Sequence, residues 1–217
     1  GFTARTTGQL PYDVVFLLNR FFDAIVPSIN AQGGTVDKYL GDGFLAVFEL
    51  PASENSAHAA LRAIEGIAQA LASFNATLAR EGQSPVAIGI GAHLGDVVLG
   101  EIGAAGQAPR TLIGDTVNTA SRIEGVTKEF KVQAFVSAPL LAAAGHAVPQ
   151  DQMKALDLRG LSSPLLAWPV QEASDLSVQL ARFRSNEETR TARLLPYSSG
   201  IGQAIGRSGL RQKTRKL

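Results

Sequence analysis

Several side chains in this sequence are of types, and in places, where chemistry is done. Asp42 sits within Gly41-Asp42-Gly43, between two apolar runs, and Lys38 lies near the end of the first run. Asn118 and Arg122 are four apart, so on a helix they share one face. Arg110 and Arg159 are further cations, and His93 closes another apolar run. Taken singly, each has a plain structural reading. An Asp in a Gly-Asp-Gly turn is there for the turn, because Asp tolerates the backbone conformation required. A Lys at a strand end is ordinarily a solvated charge, and the Asn118/Arg122 face and the two other arginines read as polar surface. His93 reads as structural. The chain has no cysteine, which excludes disulfides, zinc–thiolate sites and thiol nucleophiles. Any chemistry falls to oxygen and nitrogen groups.

The elements that must position these groups follow from hydrophobic periodicity. Val14, Leu18, Phe21, Phe22, Ile25 and Ile29 recur at helical spacing, predicting a helix over Tyr12–Ala31 that Gly33-Gly34 ends. Thr35–Leu40 and Phe44–Phe48 flank the Gly-Asp-Gly turn as a hairpin. A second helix is predicted over Ser53–Arg80, with Ser53 as its cap. Val86–His93 and Val97–Ile102 predict another hairpin around Leu94-Gly95-Asp96. A helix over Thr116–Lys128, a strand over Val132–Ser137 and a short helix over Ala138–Ala144 come next. Lys154–Leu158 and Leu165–Val170 close the series as a strand pair around Gly160. Hairpins interleaved with helices predict an α+β fold, with helices packed on a mainly antiparallel sheet.

The 217 residues suit one medium domain with an appendage, and 45% hydrophobic residues can bury a real core. No apolar run reaches the roughly 18 residues of a membrane span. The net charge of +1 is uneven. From Leu180 onward nine basic residues face Glu187 and Glu188, giving this end +7 and leaving −6 for the first 179 residues. An acidic body argues against nucleic acid as a partner. Periodicity fades beyond Ser174, and Tyr197–Gly209 is rich in Gly and Ser, so residues 174–217 are expected to be a basic linker or tail behind a domain at 1–173.

Three segments in order carry a resemblance. The run Val36-Asp37-Lys38-Tyr39-Leu40-Gly41-Asp42-Gly43-Phe44-Leu45-Ala46-Val47-Phe48 resembles the metal-binding hairpin of class III nucleotidyl cyclases. Gly89–Gly103, with Gly95-Asp96 in its middle, is similar to the family's second hairpin. Thr111-Leu112-Ile113-Gly114-Asp115-Thr116-Val117-Asn118-Thr119-Ala120-Ser121-Arg122-Ile123-Glu124 is similar to its most diagnostic segment. Gly1-Phe2-Thr3 matches the end of its first-strand motif, Asp-Ile-x-Gly-Phe-Thr. Ordered motifs at compatible separations are more specific than any one alone.

The resemblance implies the ferredoxin-like cyclase fold and the conversion of ATP to cyclic AMP and pyrophosphate. It implies two divalent ions, Mg²⁺ or Mn²⁺, with Asp42 as one of two metal-binding aspartates. The other would stand three positions before Gly1, so the chain is expected to lack its first strand and to be weak or inactive as it stands. Lys38 and Thr111 correspond to the base-selecting pair, and a Thr there resembles the class IIIb subgroup. Asn118 would orient the ribose and Arg122 would stabilise charge on the α-phosphate. Arg159 would bind the terminal phosphates, and the backbone of Gly1, Phe2 and Thr3 would cradle the triphosphate. The family's sites are shared between protomers, so a homodimer is implied, with an upstream regulatory domain and a cytoplasmic location in a parent that is either soluble or membrane-anchored. Two rivals remain: a guanylyl cyclase, against which Lys38 speaks, and a non-catalytic cyclase-like dimerisation or nucleotide-sensing module. A diguanylate cyclase would need a Gly-Gly-(Asp/Glu)-(Asp/Glu)-Phe signature, which is absent.

Overall fold

The computed structural model describes residues 11–49, 55–101 and 110–183. Helix α1 spans Pro11–Asn30 and buries Leu17, Phe21, Ile25 and Ile29, one residue per turn along a single stripe. Strands β1 (Thr35–Leu40) and β2 (Gly43–Val47) follow as an antiparallel hairpin seated on α1. Helix α2, Ser56–Arg80, starts at Asn55, whose side chain accepts a hydrogen bond from the His58 N–H at 3.0 Å. The expected cap, Ser53, lies outside the described residues.

Helix α2 is the keel of the molecule, because its apolar positions feed two cores. Ile67, Leu71, Phe74 and Leu78 join the α1 stripe under the hairpin. Ala57, Leu61, Ile64 and Ala68 join a second cluster with Val136, Trp168 and Val170.

The remaining elements are β3 (Ile90–Ala92), β4 (Val98–Glu101), β5 (Arg110–Ile113), α3 (Asp115–Phe130), β6 (Ala134–Ser137), α4 (Ala138–Ala143), β7 (Lys154–Leu156) and β8 (Leu165–Val170). The four-stranded sheet runs β3-β6-β8-β7; β3 is parallel to β6, and the other neighbours are antiparallel. Strands β4 and β5 make a separate antiparallel ribbon. The architecture is the α+β arrangement that the sequence predicts, with one correction. The predicted hairpin between Val86–His93 and Val97–Ile102 does not form.

Two interactions tie the segment to helices. The Asn75 side chain bonds both backbone groups of Val86, at 2.7 and 2.9 Å, and so holds the start of that segment to α2. At the turn, the Asp96 carbonyl accepts from Thr116 Oγ1 at 2.6 Å, so it is bonded to α3 and not across a hairpin. Strand β3 pairs instead with β6, and β4 pairs with β5, a strand the periodicity did not single out.

Residues 176–183 are helical (α5), within the segment expected to be linker or tail. Leu176 and Leu180 are buried in the second cluster, and Phe183 packs edge-on against Trp168 with ring centroids 5.4 Å apart. The rest of that segment lies outside the described residues. Among the described residues, no helix is long and apolar enough to cross a membrane.

Candidate active site

The hairpin brings Lys38 and Asp42 to one end of one element. Its turn is Gly41-Asp42, closed by the Leu40–Gly43 pair. Gly41 has φ +65° and Asp42 a negative φ, the type II′ arrangement that needs glycine first. The turn leaves Asp42 exposed, with no hydrogen bond or ion pair to any described residue.

Lys38 is half-buried, and its position depends on an irregularity. The register steps from Val36–Ala46 to Lys38–Leu45, so Asp37 is an extra residue opposite a single step of β2. Neighbouring strand residues ordinarily point to opposite faces. Here the bulge lets Lys38 Nζ approach Asp37 Oδ2 to 3.2 Å. That oxygen is buried and makes no hydrogen bond. Sequence reasoning passed over Asp37; the only signal was an Asp-Lys dipeptide inside an otherwise apolar strand.

Helix α3 carries the other pair. Asn118 is exposed and Arg122 half-buried, and the helix is drawn hard against β3 and the loop after it. A side chain at Gly91 would collide with the backbone of Ala120 and Glu124, and one at Gly95 would meet Thr116. The loop is fixed at both ends: Thr116 bonds Asp96, and His93 Nδ1 shares a 3.0 Å hydrogen bond with the Oγ of fully buried Ser137. Burial pushes the His93 imidazole below its ordinary pKa. His93 thus has the structural place expected of it.

The Arg122 guanidinium lies over Gly160, where a Cβ would meet Nη1 at 3.1 Å. Arg122 therefore abuts the turn that contains Arg159, which is exposed. Thr111 falls on β5 opposite Gly100. Gly1, Phe2 and Thr3 lie outside the described residues.

Asp42 fits a divalent metal by chemistry: it is an exposed hard-oxygen donor, and Mg²⁺ takes one or two carboxylates together with substrate phosphates. Among the described residues no group of three His, Asp or Glu could hold an ion without such help.

The chain matches the family model described as the adenylate and guanylate cyclase catalytic domain over residues 1–160. It belongs to that family. This cyclase domain is 35% identical over 141 residues to an adenylate cyclase of Anabaena cylindrica, covering 63% of this chain and 27% of that protein. It is 29% identical over 165 residues to adenylate cyclase 1 of Rhizobium meliloti, covering 76% of this chain and 25% of the relative. The cyclase domain thus spans about a quarter of the length of these relatives. Among solved structures it superposes on the guanylyl cyclase Cya2 with a TM-score of 0.69 at 32% identity, covering 78% of this chain and 86% of that one. The adenylyl cyclase CyaB from P. aeruginosa shares the fold at a TM-score of 0.62 and 22% identity, covering 78% and 88%.

Proposed function

We propose that this cyclase domain converts ATP to 3′,5′-cyclic AMP and pyrophosphate at sites shared between two copies of the chain. The observation that carries the choice of ATP is Lys38, a half-buried ammonium three positions before the Gly41-Asp42 turn. An ammonium donates to adenine N1, an acceptor, whereas guanine presents an N1–H donor there. Thr111 would accept from the adenine amino group.

In the reaction, the 3′-oxygen attacks the α-phosphorus of the same nucleotide. The 3′-hydroxyl loses its proton, the new O–P bond closes the ring, and the bond to the β,γ-diphosphate breaks. Two divalent ions, when bound, acidify that hydroxyl and neutralise phosphate charge. Asp42 contributes a carboxylate to hold them. Asn118 orients the ribose by hydrogen bonding, and Arg122 stabilises the charge growing on the α-phosphate. Arg159, on the turn beside Arg122, would take the terminal phosphates, and the backbone N–H groups of Gly1, Phe2 and Thr3 would cradle them.

The dimer reading is supported by apolar side chains on the two ribbons. Tyr39, Leu40, Val98 and Ile113 are 55, 59, 66 and 40% exposed, a pattern that suits burial against a second copy. In that dimer, Asp42 of one chain would serve the same site as Lys38, Thr111, Asn118 and Arg122 of its partner.

The likeness to a guanylyl cyclase makes GTP the reading to exclude. The test incubates the chain, and a version with the Asp-Ile-x motif fused ahead of Gly1, with Mn²⁺ and either nucleotide, and identifies the products by chromatography. Cyclic AMP from ATP, lost in Asp42→Ala, is expected. Cyclic GMP as the main product would overturn the base assignment. A folded dimer silent with both nucleotides would point to the non-catalytic module. Lys38→Glu should cut ATP turnover without giving good GTP turnover, since Thr111 stays unmatched. Arg122→Ala and Asp42→Ala, each inactive alone, should regain one working site as a mixed dimer; failure in confirmed mixed dimers would refute the shared site.

A further inference from the structure

The Asp37 carboxylate is the one buried side-chain oxygen among the described residues that makes no hydrogen bond. Its residue is the extra member of the β1 bulge, and it lies 3.2 Å from the Lys38 ammonium. Burying a carboxylate acceptor without hydrogen bonds is costly, and a regular strand would turn Asp37 away from Lys38. The fold thus carries two local costs, a bulge and a buried carboxylate oxygen, Asp37 Oδ2, and both bring one charge beside another. The Lys38 side chain is 35% exposed and the Asp37 side chain 15%, so the carboxylate belongs to the more buried partner of the pair.

We propose that Asp37 is a positioning residue for Lys38, holding its ammonium at the purine edge so that the discrimination between adenine and guanine depends on the pair and not on the lysine alone. This rests on the assignment of Lys38 as base reader. Lysine is a flexible point charge on four methylenes, and a free ammonium in a cleft can swing toward either purine's acceptors. An anion beside it restricts the swing. Two further properties follow. The effect of Asp37 on nucleotide preference is transmitted only through Lys38. The bulge itself does not need the carboxylate, so an amide of the same shape leaves the hairpin folded.

The experiment measures binding of 3′-deoxy-ATP and 3′-deoxy-GTP, which lack the attacking hydroxyl, by calorimetry with Mn²⁺. The wild-type chain, Asp37→Asn, Lys38→Met and the double variant are compared, with melting temperatures recorded for each. Asp37→Asn should narrow the ATP-over-GTP preference about tenfold, the effect of losing one close ion-pair contact on the base-reading ammonium, while its melting temperature holds or rises. In the Lys38→Met background, Asp37→Asn should change nothing further. An unchanged preference in Asp37→Asn overturns the proposal, as does an equal loss of both nucleotides with a lower melting temperature, which is a purely structural role. Additive effects in the double variant also overturn it. A wild-type chain that binds both nucleotides alike refutes the base-reading assignment as well, as does binding of neither by the version that carries the Asp-Ile-x motif ahead of Gly1. Selective binding without cyclic nucleotide from ATP, in the version that carries the Asp-Ile-x motif ahead of Gly1, removes the catalytic reading and leaves Asp37's role standing.

Discussion

The β1–β2 hairpin rests on α1 through ring contacts at its edge. Phe22 meets Tyr39 at 4.7 Å and Phe44 at 6.1 Å between centroids, and every residue of β2 is only half-buried. Helix α3 rests instead on backbone. Gly91 admits the Ala120 and Glu124 main chain directly, and β6 behind it is buried along its whole length. Among the described residues, the group expected to meet metal therefore sits on a two-stranded edge with little around it, and the group expected to meet the α-phosphate sits on a close-packed floor. The hairpin is the part of the site that can adjust. A hairpin held by a few rings can shift by fractions of an ångström at small cost, whereas a glycine-packed helix has no room to move.

The sharpest way to break this comparison is to add one methyl group to each region. Gly91→Ala drives a Cβ into helix backbone that cannot rotate away, and it should cost about 3 kcal/mol or more by chemical denaturation. Gly43→Ala in the hairpin meets nothing nearer than the Leu40 carbonyl at 3.8 Å. It should stay within about 0.5 kcal/mol of the parent chain. Equal costs would show that the two regions are packed alike.

A middle-sized effect concerns pH. Because burial lowers the His93 pKa, the unfolded chain takes up a proton before the folded one as pH falls. The stabilising contribution is complete above the ordinary imidazole value of about 6.5 and is lost as pH falls through the lower folded value. The melting temperature should therefore drop between about pH 7 and about pH 5, and His93→Asn should flatten that drop. Since His93 anchors the loop that holds α3, ring packing in the hairpin should be the later to respond. An unaltered pH profile in His93→Asn would remove this link.

The smallest effect sharpens the picture of the floor. Lys131 ends α3 in the left-handed conformation, at φ 54°, and its N–H bonds the Lys128 carbonyl. Glycine is the usual residue there. Lys131→Gly should raise stability by about 1 kcal/mol by thermal or chemical melting, because the side chain's backbone penalty disappears. A loss of stability would mean that the lysine stem contributes packing that outweighs the penalty.

Local periodicity and turn chemistry were enough for the helices before residue 174, the first hairpin and the closing strand pair, but not for the helix at 176–183. The Gly41-Asp42 turn was legible since only backbone rules govern it. Lys38, Asp42, Asn118 and Arg122 stood out by their types and spacing, through resemblance to a family that the comparisons bear out. The tertiary structure alone decided three things. It paired β3 with β6 and β4 with β5, pairings that local turn rules do not contain. It set Arg122 over Gly160, which lies 38 positions away in sequence and is invisible to any window along the chain. It turned Asp37 toward Lys38 by a bulge, since a period of two says nothing of where a strand gains a residue. Local rules place residues on elements; the register and the approach between elements are long-range properties that only packing settles.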